Sequence, residues 1–135
     1  MQIVDANIIL RYLLSDNADL SAKAEEIIDN NSIYLPIEVL CEVIYVLEKV
    51  YNVERADISK ELIDIINILD ITVPSKEAVL VGLEIYCTRK LDLVDCILVG
   101  YSETEGADIH TFDDKLRKLI DRRASEKVNN GKSNN

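Results

Sequence analysis

The segment QIVDANIILRYLL, residues 2–14, decides the fold. Gln2-Ile3-Val4 reads as a short buried strand. From about Asn7 to Leu14 the apolar residues fall at helical spacing, and Ser15-Asp16-Asn17 breaks the pattern. A strand therefore passes straight into a helix, with Asp5 at the junction. Apolar residues flank Asp5 on both sides, and a carboxylate seldom enters such a setting without a partner or a metal ion. Two roles suit it: capping the helix that follows, or facing a ligand at the end of the strand.

The alternation continues along the chain. LSAKAEEIIDN (20–30) predicts a helix opened by a Ser cap, and SIYL (32–35) a second strand. Pro36 fits the first helical position of the long amphipathic segment PIEVLCEVIYVLEKVY (36–51). A helix over about Asp57–Leu69 leads to a third strand, DITV (70–73), stopped by Pro74. Ser75 can cap a helix over Lys76–Arg89, and Asp92 one over Leu93–Glu103. Gly106 punctuates, DIHTF (108–112) predicts a fourth strand, and DDKLRKLIDRRASEK (113–127) a final helix. Residues 1–124 are the expected domain, and 125–135 a polar, disordered tail. Short apolar strands alternating with helices imply an α/β sandwich whose central sheet is mainly parallel and flanked by helices.

Ligands of such sheets bind beyond the carboxyl ends of the strands. Asp5 follows the first predicted strand and Asp113-Asp114 the fourth, so as neighbours these acids converge on one rim. Convergent carboxylates repel unless a cation neutralises them or one keeps its proton. Glu42, in the long helix, and Asp95, three residues after Asp92, can join them. Carboxylates are hard oxygen ligands suited to magnesium or manganese. Such an ion polarises a phosphoryl oxygen and acidifies water, which is the apparatus of phosphodiester hydrolysis. Each acid also has a plain structural role open to it. Asp95 can complete a capping box with Asp92, Asp113 or Asp114 can cap the last helix, and Glu42 can share a solvent face with Glu38 and Lys49. His110, the only histidine, has no evident nucleophile partner, so histidine acid–base catalysis is disfavoured.

Charge is unevenly spread. The net charge of −10 argues against broad, non-specific nucleic-acid binding. Residues 1–114 carry 8 basic and 23 acidic residues, whereas 115–135 carry 7 basic and 2 acidic. The basic segment with Lys115, Arg117, Lys118, Arg122 and Arg123 reads either as a solvated helix face or as a phosphate-contacting patch. The three cysteines, Cys41, Cys87 and Cys96, lack zinc-ligand spacing and read as buried thiols in a reducing cytosol. No signal peptide or membrane span is expected, so the predicted location is cytoplasmic.

Four segments, in order, resemble the motifs of PIN-domain nucleases. IVDANIILRYLL resembles their opening, where a strand ends in Asp followed by a small residue and Asn. LPIEVLCEVIYVLEKVY is similar to the second motif, with its acid at Glu42, and LDLVDCILVG to the third, with Asp95 and, three residues before it, Asp92. HTFDDKL resembles the fourth, through Thr111-Phe112-Asp113. The resemblance implies Asp5, Glu42, Asp95 and Asp113 as an acidic cluster for Mg2+ or Mn2+, with Asn7 and Thr111 orienting the ligands. It also implies Arg11 in phosphate contact or antitoxin binding. There are departures: Ala6 replaces a common hydroxyl residue, Leu93-Val94 an aromatic and small pair, and Asp114 a basic residue.

Within that family the chain looks most like VapC-type toxins of toxin–antitoxin modules. That likeness implies a metal-dependent endoribonuclease leaving a 5′-phosphate and a 3′-hydroxyl, a homodimer, and a cognate antitoxin as partner. The alternative is a catalytically silent PIN-like module that binds RNA or protein. A receiver-type phosphoacceptor domain fits poorly, because Pro74-Ser75 follow the strand where its acceptor acid belongs.

Overall fold

A computed structural model describes residues 1–133. Three parallel strands stand side by side in chain order: β1 (Gln2–Ile3), β2 (Ile33–Tyr34) and β3 (Ile71–Thr72). Gln2 lies opposite Ile33, and Ile33 opposite Ile71. Ile33 N–H donates to the Asp70 carbonyl at 2.9 Å and Leu35 N–H to that of Thr72 at 2.8 Å. Parallel neighbours need long crossovers, and helices supply them. α1 (Ala6–Leu14) and α2 (Ala18–Asp29) link β1 to β2, and α3 (Ile37–Lys49) and α4 (Arg55–Ile68) link β2 to β3. Then follow α5 (Lys76–Thr88), α6 (Leu93–Glu105) and α7 (Asp114–Ser133). This is the expected α/β architecture, PIN-like, with a very short sheet and mostly helical mass.

One continuous core joins the sheet to the helices. Ile9, Leu35, Leu40, Val43, Leu62 and Leu83 lie fully inside it. Ala6 is buried as well, so the position after Asp5 faces the core with no hydroxyl to satisfy there. Helices α5 and α6 meet almost backbone to backbone. A Cβ on Gly100 would lie 2.1 Å from the Ala78 carbonyl oxygen, and one on Gly82 would lie 3.0 Å from Ile97 Cα. On the other side of α5, the buried Ser59 hydroxyl of α4 donates to the Leu83 carbonyl at 2.8 Å. These contacts fix α6, whose first turn carries Asp95.

Three expectations are corrected. Residues 108–112 form no strand: the sheet of the described residues has three. Half-buried and exposed side chains do alternate there, but none is buried and Phe112 is wholly exposed. With nothing sunk into the core, no packing seats a strand. The cap of α2 is Asn17, whose side chain accepts from Leu20 N–H at 3.1 Å. Ser21 lies one turn inside and donates to the Arg11 carbonyl, docking α2 on α1. Finally, α7 continues helical through Ser133 where a disordered tail was expected, and residues 134–135 lie outside the described residues. Buried Leu116 and Leu119 anchor its first turns, while Arg123 and Lys127 bond Glu103 of α6 farther along. No helix of the described residues is long and apolar enough to cross a membrane.

Candidate active site

The turn before α6 ends at Asp92, which is extended, at φ −63° and ψ 147°, and opens the helix without a side-chain capping bond. Asp95 follows in the first turn. Across from them, α3 presents Glu42, Tyr45 and Lys49 at i, i+3 and i+7, the spacing of one helix face. These residues line a cavity of about 680 Å³. Among the described residues, Glu42, Asp92 and Asp95 make no side-chain hydrogen bond or ion pair. Burial pushes the Asp95 carboxyl above the ordinary range, and the negative charges of Asp92 and Asp113 push it further. The capping box open to Asp92 and Asp95 is therefore not made on the Asp92 side.

The other two acids are engaged locally. The Asp113 carboxylate accepts from Lys115 N–H at 2.9 Å and Leu116 N–H at 3.2 Å, so it caps α7. Its own N–H donates to the Thr111 hydroxyl at 3.0 Å. Asp5 caps α1, accepting from Ile8 N–H at 3.2 Å. It lines a separate concavity with Asn31 and Val39 rather than the cavity of Glu42 and Asp95. Asn7 is exposed in the first turn of α1. Arg11 is tied to Asp16 at 2.8 Å, with its Nε buried and unpartnered.

Glu42, Asp92 and Asp95 thus line one cavity, Asp113 lies within electrostatic reach of Asp95, and Asp5 lines a different concavity whose wall includes Val39, one helical turn before Glu42. Among the described residues no three His, Cys, Asp or Glu side chains stand together closely enough to hold a metal ion. The donor type nonetheless fits a hard divalent cation. Carboxylates without partners share one cavity, and burial, then the charges of Asp92 and Asp113, disfavours the anion at Asp95.

A second group in the cavity wall escaped the sequence reading. Glu48 accepts from the Tyr86 hydroxyl and, at 3.1 Å, from Arg55 Nε. Arg55 also donates to the Arg89 and Leu91 carbonyls at 2.9 and 2.6 Å. It thereby holds the turn that leads into Asp92, and Glu48, which also accepts from Tyr86, holds Arg55 in turn. One signal was present. Arg55 opens a helix, where the macrodipole favours acids, and such a misplaced cation needs a partner elsewhere.

No curated protein and no solved structure was found to match the chain. Residues 3–121 match the PIN domain family. That stretch runs from β1 into α7 and includes Asp5, Glu42, Asp95 and Asp113; the chain belongs to the PIN domain family.

Proposed function

We propose that the protein is a divalent-metal-dependent endoribonuclease acting as the toxin of a toxin–antitoxin pair. PIN domain membership points to nuclease-type function generally. The observation that carries the finer reading is the cavity shared by Glu42, Asp92 and Asp95, where Asp95 is disfavoured as an anion by burial and by Asp92 and Asp113. Asp95 and Asp113, with Asp5 and Glu42, would hold Mg2+ or Mn2+. Bound there, the ion supplies charge neutralisation at a phosphoryl oxygen and acidifies water. The chain's own contributions are separate. Arg55, itself held by Glu48, holds the turn before Asp92, Thr111 holds the backbone of Asp113, and Glu42 would bind a second ion or position the attacking water. The toxin assignment, the homodimer and an antitoxin offering basic side chains to the acids rest on the VapC-like opening and second motif.

The test is total RNA incubated with wild-type and Asp95→Asn protein, with and without Mg2+ or Mn2+, followed by mapping of the cut ends. Metal-dependent cuts leaving 5′-phosphates, abolished by EDTA and by the substitution, are expected. Undiminished cleavage by Asp95→Asn protein sinks the reading. The second reading, a silent RNA- or protein-binding module, draws on the lack of an assembled three-ligand group among the described residues. Calorimetry separates the two, because a silent module shows no heat of Mg2+ or Mn2+ binding.

A further inference from the structure

The basic segment of α7 is sorted by the fold. Arg117 pairs with Asp114, and Arg123 with Glu103, so both are turned to neighbouring acids. Lys115, Lys118 and Arg122 instead line a concavity of about 530 Å³ together with Arg89 and Lys90 from the turn between α5 and α6. Two leucines complete its lining and no acid does. Arg122 also reaches Glu126 at 3.9 Å, an exposed pair worth little. Five cations around one hollow stand out on a chain of net charge −10. Their mutual repulsion is relieved by an anion with several charges.

We infer that this concavity is the track for the RNA backbone, holding phosphates adjacent to the scissile one. Lys90 is the link. It lines the basic concavity and also a hollow with Glu48, Lys49 and Arg55, residues that wall the acid cavity. One residue, Leu91, separates Lys90 from Asp92, so their Cα atoms lie no more than about 7.6 Å apart. A strand leaving the acids along this turn meets the five cations next. An acidic protein thereby confines nucleic-acid attraction to one lane that ends at the acids. The direction of the lane rests on the nuclease reading of the acid cavity; the binding itself does not.

The test measures binding of a labelled single-stranded RNA by fluorescence anisotropy, in EDTA so that nothing is cut. A Lys90→Gln, Lys115→Gln, Lys118→Gln triple variant is compared with wild type over a salt series. A Lys23→Gln, Lys60→Gln, Lys76→Gln triple variant, exposed sites outside the concavity, carries the same change in net charge. The concavity variant is expected to bind at least ~10-fold more weakly, with the slope of log K against log salt reduced by about 2. The control is expected to stay within about twofold of wild type. Lys118→Gln alone should give a smaller shift in the same direction. The track is overturned by wild type that does not bind at low salt, by unchanged binding of the concavity variant, or by equal loss in the control. Polyglutamate that binds as tightly as RNA overturns it too. Cleavage is read separately. Binding through the concavity without metal-dependent cutting defeats the nuclease reading alone, and cutting with an unchanged salt slope defeats the track alone.

Discussion

Tyr86 donates its phenolic hydrogen bond to Glu48 across the wall of the acid cavity, and the Arg55 guanidinium carbon lies 4.2 Å from the centre of the same ring. Burial raises the Glu48 carboxyl, but hydrogen bonds from Tyr86 and Arg55 and the charges of Arg55 and Lys49 outweigh it and hold Glu48 below its ordinary value of 4.5. A depressed carboxyl adds stability above its unfolded pKa, lost as pH falls through the folded one. Burial, and then the bond to Glu48, raise Tyr86 above 10.0. Its contribution is therefore complete below that pH and lost as pH rises beyond it. Tyr86→Phe should cost about 1.5–3 kcal/mol near neutrality and flatten the acid limb. Urea denaturation between about pH 3 and pH 7 reads both effects.

Gly100→Ala should be more damaging than its single methyl suggests. The new Cβ would meet the Ala78 carbonyl at 2.1 Å, and a backbone atom cannot swing aside as a side-chain tip can. Helices α5 and α6 must part, at a cost of roughly 1–3 kcal/mol or more. Chemical denaturation gives the loss. RNA cleavage should fall with it at temperatures where the variant is still folded, because α6 carries Asp92 and Asp95.

Asp95→Asn should act oppositely on stability and activity. The Asp95 carboxyl is raised by burial and then by Asp92 and Asp113. The folded state therefore holds this proton more tightly than the unfolded chain, and wild type loses stability as pH rises from its unfolded pKa of 3.8 through the folded value. The asparagine variant escapes that loss. Its melting temperature at neutral pH should equal or exceed that of metal-free wild type, while cleavage drops at least ~100-fold. Added Mg2+ should raise the melting temperature of wild type and leave that of the variant nearly unchanged.

The alternating pattern made the α/β architecture legible, because β1, β2 and β3 each occupy an apolar run closed by Asp5, Pro36 or Pro74. Residues 108–112 misled, because strand spacing is local whereas strand pairing needs a buried face that this run lacks. At the site, Glu42, Asp92 and Asp95, acids singled out in the sequence, line one cavity. The positioning group was illegible because Glu48, Arg55 and Tyr86 lie on three helices, and only tertiary folding sets 38 residues of separation at bonding distance. Asp5 shows the converse. Its cap was one of two readable roles, and the structure shows the cap, with Asp5 lining a different concavity from Glu42 and Asp95.

Phe112 is the most exposed large apolar residue of the described chain, at 105% of its reference area. If it contacts nothing in the free protein, Phe112→Ala should change stability by no more than ~0.5 kcal/mol. A measured loss of several kcal/mol would place the ring against a core or a second copy. Denaturation of dilute and concentrated protein distinguishes those cases, since only a contact between copies depends on concentration.

Asp5 separates structure from chemistry. Its carboxylate caps α1 through Ile8 N–H. Asparagine keeps an oxygen for that bond and caps about as well as aspartate, whereas alanine forfeits about 1 kcal/mol. Asp5→Asn should therefore melt within a few tenths of a kcal/mol of wild type, and Asp5→Ala about 1 kcal/mol below it. Because the nuclease reading also gives Asp5 to the cation, both variants should lose metal-dependent cleavage to a similar extent despite their different stabilities. If it only caps, cleavage should follow stability, with Asp5→Asn nearly as active as wild type. Parallel melting curves and initial cleavage rates at saturating Mg2+ decide between these outcomes, because capping needs only an oxygen acceptor while holding a cation draws on the full negative charge.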